Sequence, residues 1–197
     1  NDNDALYAGV IRTLRHGGSL VDLRLGHVPF LDKPPLFFWL GALVTGALGE
    51  SELALRLVPI AAGALGAVLA ARTTRRLCGS RAAAVFAAAA LVTAPNYYEY
   101  ARRVYMEVPN AVLGFWAFDL GLGERWKRAG FVAGLAFMLK SIPGVLGFGA
   151  LAIAHLLRRR LPRVLVIGAG IALVVLVPWH LLAWHGNPQA FIDFTLN

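Results

Sequence analysis

The sequence predicts an all-α fold: a bundle of helices that crosses a membrane several times. Of the 197 residues, 58% are hydrophobic and only 15% are charged, and the mean hydropathy is +0.62. A soluble domain of this length needs a more polar surface. The apolar residues also form long blocks that are separated by short charged stretches, which is typical of consecutive membrane spans.

Three short basic stretches predict the direction in which each apolar block crosses the membrane. They are expected to be cytoplasmic, because loops rich in Lys and Arg stay on that side of a membrane. Stretches of four, three and four residues hold 11 of the 19 Lys and Arg residues: Arg72, Arg75, Arg76 and Arg81; Arg125, Lys127 and Arg128; and Arg158, Arg159, Arg160 and Arg163. The same distribution argues against nucleic-acid binding despite a net charge of +8, because no basic stripe is interleaved with exposed aromatic residues.

With the basic stretches inside, residues 53–184 are expected to form about six transmembrane helices. The predicted spans are 53–71, 82–95, 109–123, 129–139, 144–157 and 164–184. Residues 96–108 then form an external loop, and residues 185–197 begin a further external loop. Every basic stretch falls on the same side of the membrane in this arrangement.

The apolar block 36–48 does not fit as a span. As a helix it would be about 20 Å long at roughly 1.5 Å per residue, which is short of the roughly 30 Å hydrocarbon core. A membrane span at residues 36–48 would also place Glu50 and Glu52 on the cytoplasmic side and move every later loop to the opposite side of the membrane. We therefore predict an interfacial or re-entrant helix, and residues 1–52 become one long external loop with interfacial helices.

The predicted external side carries a mixture of carboxylates and cations. Acidic residues contribute little to membrane topology, so this mixture is a candidate site, with ordinary solvated loops as the alternative. Nine of the 11 acidic residues lie there: Asp2, Asp4, Asp22, Asp32, Glu50, Glu52, Glu99, Glu107 and Asp193. So do the cations Lys33, Arg102, Arg103 and Lys140.

Four short motifs place these charges next to apolar blocks. Each motif also has a purely structural explanation that involves no function. In chain order these are an N-cap, a helix start with Pro in its first turn, a surface ion pair, and a snorkelling Lys. In chain order the motifs are Asp2-Asn3-Asp4 before Tyr7-Ala8, Asp32-Lys33-Pro34-Pro35-Leu36, Arg103 to Glu107 before Pro109, and Lys140-Ser141 after an apolar run.

In this order the motifs resemble the membrane glycosyltransferases of the C-type fold, in the branch that holds protein O-mannosyltransferases and lipid A aminoarabinose transferases. The family's acid-Lys-Pro-Pro-Leu motif is matched at residues 32–36, and its Gly-x-Ser-Glu-x-Ala-x-Arg-Leu motif at residues 49–57. The resemblance continues through 138–141 to Pro178-Trp179. It implies that the chain is only the N-terminal part of this fold, without the first span and the C-terminal half, and that this piece alone is inactive.

The resemblance implies a hexosyl- or pentosyltransferase of the cell (inner) membrane. Its donor would be a polyprenyl-phosphate sugar, its acceptor a lipid, a glycan or a protein, and the transfer would invert the anomeric carbon on the extracytoplasmic face. A multi-pass transporter or lipid flippase is the alternative, and it would place ionisable residues near mid-bilayer. Here the charges cluster at the external ends, with Asp119 nearest to an exception. A non-catalytic membrane scaffold is a second alternative.

The candidate residues suit this chemistry. A carboxylate must take the proton of the acceptor hydroxyl, and Asp4 or Asp2 is the candidate catalytic base. Fixed cations must receive the departing phosphate, and the donor-phosphate candidates are Lys33, Arg103 and Lys140.

Two further carboxylates have two possible roles. Asp32 and Glu107 either orient the cations or hold a divalent metal, the possible cofactor. The sequence also departs from the family pattern. The family's first acid falls on Asn3, and Glu107 and Ser141 replace the more usual Asp and Gly, so the choice between Asp2 and Asp4 stays open.

Overall fold

The computed structural model describes residues 2–157, 163–189 and 191–192. Within these residues the chain is a helical bundle with one small β-hairpin, and the predicted all-α class is confirmed. The elements are α1 (Asp2–Arg15), β1 (Arg24–Leu25), β2 (Val28–Pro29), α2 (Leu36–Leu48), α3 (Glu52–Cys78), α4 (Arg81–Thr93), α5 (Pro95–Ala101), α6 (Glu107–Leu122), α7 (Trp126–Lys140), a 3-10 turn (Ile142–Val145), α8 (Leu146–Leu157) and α9 (Arg163–Gly186).

Helix α3 shows how the sequence begins and ends a long helix. The Ser51 hydroxyl accepts the Ala54 N–H at 3.1 Å, and Gly79 ends the helix in the left-handed conformation, at φ 69°. Its 27 residues span about 40 Å, enough to cross a bilayer core. Among the described residues, two helices are long and apolar enough to do so, Glu52–Cys78 and Leu165–Gly186.

The helix bounds differ from the predicted spans in two informative places. Most of α5 lies in the predicted loop 96–108, and the helix starts one residue earlier, at Pro95, because proline fits the first turn of a helix. Helix α6 begins at Glu107, two residues before the predicted start at Pro109. A first-turn proline costs no intrahelical hydrogen bond, so the helix extends past it.

The amphipathic helix α1 packs on α2, which is a helix over residues 36–48 as predicted. Its apolar face buries Tyr7, Val10 and Ile11 against Phe37 and Phe38 of α2. Its C-terminal end is held by Glu50, whose Oε1 lies 2.6 Å from Arg15 Nη1 and 2.9 Å from His16 Nε2. The N-terminal region is therefore joined to the bundle at the start of α3.

The antiparallel helices α6 and α7 separate two groups of charges. At one end, Lys140 of α7 contacts Glu107 at the start of α6. At the other end, Arg72 and Arg76 of α3 lie 3.3 Å and 3.4 Å from the fully buried Asp119, near the end of α6. The basic stretches around Arg72 and Arg125 therefore lie away from the candidate site.

Candidate active site

The first charged pair of the site lies in the loop that leads into α2. Lys33 Nζ is 2.7 Å from Asp32 Oδ2, and the Lys33 side chain is only 26% exposed. Pro35 is fully buried, and the indole N–H of Trp39 donates to the Leu20 carbonyl at 3.0 Å. These contacts fix the loop, so the adjacent carboxylate and ammonium are held at the entrance of an apolar helix.

The second pair joins the start of α6 to the end of α7. Lys140 Nζ contacts Glu107 Oε1, and the two side chains are 26% and 32% exposed. The other oxygen, Glu107 Oε2, is buried and has no hydrogen-bond partner among the described residues. An unpaired carboxylate oxygen is free to accept a hydrogen bond from a bound molecule.

The backbone after Lys140 is bent into an unusual conformation. Ser141 has φ 64° and ψ −139°, and its N–H donates to the Phe137 carbonyl at 2.6 Å. When the buried Asn110 amide is turned so that its oxygen and nitrogen each face a suitable partner, it donates to the Ala136 carbonyl at 2.9 Å and accepts the Gly144 N–H at 3.2 Å. This network ends α7 at Lys140 and keeps its ammonium beside α6.

Tyr7 of α1 lies close to both pairs. Burial raises the pKa of its phenol, and the charges of Glu107 and Asp32, together with Tyr105, raise that pKa further. Two carboxylates that act on one phenol must both lie near it. Tyr7 therefore stays protonated at neutral pH, and its phenol lies within electrostatic range of both Asp32 and Glu107.

The candidate base Asp4 is three residues before Tyr7, on the same face of α1. Its Oδ1 is buried and without a hydrogen-bond partner among the described residues. The neighbouring Asn3 amide donates to the Tyr105 hydroxyl, and the Tyr7 and Tyr105 rings are 5.7 Å apart. Asp2 begins α1, and its side chain lies outside the described part of the structure.

Arg103 has a local partner instead of joining the two lysine pairs. Its Nη2 lies 2.6 Å from Glu99 Oε1, and in the described residues no ion pair joins it to Asp32 or Glu107. The next residue, Val104, is buried in the same apolar cluster as Tyr7. The Arg103 loop therefore lies over α1, although the guanidinium is paired with α5.

Sequence reasoning missed the aromatic part of this region. Tyr7 and Tyr105 lie within two of the four motifs, and neither these tyrosines nor Asn3 has a predicted role. The contact between Asn3 and Tyr105 spans 102 residues, so no local pattern could have revealed it.

The two roles left open for Asp32 and Glu107 can be weighed by their contacts. Each carboxylate contacts a lysine ammonium, which favours the orienting role. Among the described residues, no group of three His, Cys, Asp or Glu side chains is placed to hold a metal ion.

Residues 32–184 match the model of the family described as dolichyl-phosphate-mannose-protein mannosyltransferase. The chain is 25% identical over 207 residues to an undecaprenyl phosphate-alpha-4-amino-4-deoxy-L-arabinose arabinosyl transferase of Pseudomonas paraeruginosa, covering 98% of this chain and 38% of that protein. It is 24% identical to the transferase of the same name from Pseudomonas aeruginosa, covering 96% of this chain and 39% of that protein.

Solved structures show the same fold. The apo crystal structure of ArnT from Cupriavidus metallidurans has a TM-score of 0.86 and 24% identity, covering 98% of this chain and 39% of that protein. The crystal structure of that protein bound to undecaprenyl phosphate has a TM-score of 0.85 and 24% identity, covering 98% of this chain and 38% of that protein. The predicted membrane helical bundle of C-type glycosyltransferase fold is thus confirmed. The chain spans less than two fifths of the length of these relatives.

Proposed function

The chain belongs to the dolichyl-phosphate-mannose-protein mannosyltransferase family, and we propose that the full-length protein is an inverting membrane glycosyltransferase. It transfers a sugar from a polyprenyl-phosphate-linked donor to a lipid, glycan or protein acceptor. The observation that carries the proposal is that the carboxylates of two lysine–carboxylate pairs act on the buried Tyr7, with Asp4 three residues before Tyr7 on α1.

The two lysines suit the leaving group. When the bond between the anomeric carbon and the phosphate oxygen breaks, negative charge grows on the polyprenyl phosphate. Lys33 and Lys140 are each about three-quarters shielded from solvent, and fixed cations in a water-poor site stabilise such charge strongly. Asp32 and Glu107 hold the ammonium groups in place, and Arg103 is a third candidate contact for the phosphate.

A carboxylate on α1 suits the acceptor. As the acceptor oxygen bonds to the anomeric carbon from the face opposite the phosphate, its proton must leave. Asp4 Oδ1 is buried and without a partner in the described residues, so it can accept this proton. Asp2 remains the second candidate, since it lies in the same first turn of α1.

The printed names of the relatives support the donor class. Two Pseudomonas relatives are named for an undecaprenyl phosphate-linked aminoarabinose, and the Cupriavidus protein was crystallised with undecaprenyl phosphate. We infer the same kind of lipid-linked donor for this chain. The charges lie mainly at the two ends of the helices, with few near their middles, and this favours a transferase over a transporter or flippase.

We also infer the placement in the cell membrane. Residues 1–52 would form an external loop with interfacial helices, residues 53–184 about six transmembrane helices, and residues 185–197 the start of another external loop. The candidate site is then extracytoplasmic, because the basic stretches around Arg72 and Arg125 lie at the other end of the bundle.

The test is transfer from a synthetic polyprenyl-phosphate sugar by the full-length protein in detergent or liposomes. Asp4→Asn should lower the rate by on the order of 10²- to 10⁴-fold, since it removes the base. Lys33→Ala should lower it by about 10²- to 10³-fold. Asp2→Asn, measured alongside, decides between the two candidate bases.

Two variants outside the site serve as controls. Glu52→Gln changes a 75% exposed carboxylate paired with Arg56, and Arg12→Ala changes a 58% exposed cation; both should keep near wild-type rates. Full activity in Asp2→Asn, Asp4→Asn and Lys33→Ala would overturn the site. Movement of the lipid-linked sugar across the bilayer without transfer would favour the flippase.

A further inference from the structure

A cavity of about 490 Å³ lies at the basic end of the bundle, away from the candidate active site. Its walls are apolar and come from α6, α7 and α9, with Trp116, Phe131 and Ile171 among them. Four cations border it: Arg72, Arg125, Lys127 and Arg128. Its volume is within the usual range for a small-molecule site.

Three of these cations differ from those of the candidate active site. Lys33, Arg103 and Lys140 each contact a carboxylate. Arg125, Lys127 and Arg128 are exposed, and no carboxylate of the described residues lies within ion-pair distance of them. The structure therefore leaves three clustered positive charges without an internal counter-ion.

The fourth cation is shared with the buried carboxylate of α6. Arg72 Nη2 lies 3.3 Å from Asp119 Oδ2, and Asp119 is also bonded by the Thr73 hydroxyl at 2.8 Å. Asp119 is thus paired with cations of α3, although its Oδ2 has no hydrogen-bond partner among the described residues. No ion pair joins it to the cations of α7 in that part of the chain. Its contacts fix the wall of the cavity where α3 meets α6.

Membrane topology explains the charges but not the cavity. Loops rich in Lys and Arg are retained on one side of a membrane whether or not they adjoin a cavity. Here the cations border an apolar cavity in which Phe131 is 49% exposed. A cationic rim beside an apolar wall at a membrane surface complements an anionic headgroup that is attached to hydrocarbon chains.

We propose that this cavity binds an anionic glycerophospholipid of the leaflet at the basic end of the bundle. The headgroup phosphate contacts Arg125, Lys127 and Arg128, and an acyl chain lies along Trp116 and Phe131. This site is separate from the donor site, and the proposal does not depend on the transferase activity.

The test is native mass spectrometry of the full-length protein in a mild detergent, titrated with phosphatidylglycerol. Phosphatidylcholine with the same acyl chains is the zwitterionic comparison. Wild-type protein should retain phosphatidylglycerol preferentially. Lys127→Gln with Arg128→Gln should weaken its binding by about 30-fold, the effect expected for two cations near a membrane surface.

Two further variants separate a built site from general attraction. Arg12→Gln with Arg24→Gln removes two charges from the other end of the bundle and should leave lipid binding unchanged. Leu135→Trp narrows the cavity without changing charge, and it should weaken phosphatidylglycerol binding at least threefold. Equal retention of the two lipids, or an equal loss in the two double variants, would overturn the proposal, as would unchanged binding in Leu135→Trp.

Discussion

Lys140 shows how a single side chain is positioned by the backbone that follows it. The helix ends at this residue because Ser141 adopts φ 64° and ψ −139°, a conformation that residues with a side chain rarely take. The Asn110 amide bridges Ala136 and Gly144 across this break. The ammonium of Lys140 therefore contacts Glu107 at a fixed position. This positioning is the main consequence of the contact, because a partly exposed ion pair adds little to the free energy of unfolding.

Replacing Ser141 by glycine tests this strain. Glycine adopts such backbone angles without steric cost, so Ser141→Gly should raise the free energy of unfolding by about 1 kcal/mol. The measurement is chemical or thermal unfolding of the full-length protein in micelles. The pair of Lys140 and Glu107 should be unaffected, so transfer activity should persist.

A second Ser-to-Gly change provides the matched control. Ser80 has an ordinary φ of −93°, and its hydroxyl accepts the Ala83 N–H at the start of α4. Ser80→Gly should therefore give no gain and should cost a few tenths of a kcal/mol. If Ser141→Gly were less stable than wild type, the claim of strain at this position would be wrong.

At the scale of elements, small residues set how closely the helices approach. A Cβ atom added to Gly130 of α7 would lie 1.8 Å from the Gly168 carbonyl oxygen of α9, and one added to Gly168 would lie 2.5 Å from the Trp126 carbonyl oxygen. Both contacts are with backbone, which cannot move aside as a flexible side chain can. Close backbone approach at glycine is a common way for membrane helices to associate.

Gly130→Ala should therefore disrupt the contact between α7 and α9. We expect the free energy of unfolding to fall by about 1–3 kcal/mol, the usual cost of overpacking, and the thermal midpoint to fall with it. The control is Gly170→Ala on α9, the helix that Gly130 contacts, where an added Cβ meets nothing within 4 Å. That change should be neutral or stabilising by up to about 1 kcal/mol. Equal stability of the two variants would contradict the close crossing.

At the scale of the whole molecule, the helix order separates two kinds of charged surface. One end carries the carboxylates and lysines around Tyr7, and the other carries the arginines around Asp119 and the proposed lipid cavity. The single cysteine of the chain, Cys78, is exposed and ends α3 at the basic end. The exposed hairpin residue His27 belongs to the N-terminal region. These two positions can report on the two sides of the membrane.

Cysteine labelling of the full-length protein tests the proposed orientation. With a membrane-impermeant maleimide on right-side-out spheroplasts, Cys78 should react only after the membrane is permeabilised. His27→Cys in a Cys78→Ser background should react without permeabilisation. The Cys78→Ser protein measures labelling of any other cysteine. Reaction of Cys78 from outside, with protection of the cysteine at 27, would reverse the orientation.

The sequence by itself determined the fold class, the positions of the apolar helices and most of the candidate residues. These depend on neighbouring residues, since hydropathy adds up along a helix and a motif such as Asp32-Lys33-Pro34-Pro35 is read within a few positions. The prediction of a helix over 36–48 was confirmed for the same reason. The short helix α5 within the predicted external loop 96–108 was not foreseen, because a helix of seven residues carries too weak a hydropathy signal.

Only the tertiary structure decided which of these residues meet. It pairs Glu107 with Lys140, gives Arg103 the local partner Glu99, and places Asn3 against Tyr105 across 102 residues. It also places the α7 cations beside an apolar cavity. Such contacts depend on how helices cross, and the crossings are fixed by glycine positions and side-chain packing far apart in the chain. The local sequence pattern identifies the candidate charged residues, and the packing of the helices determines which residues they contact.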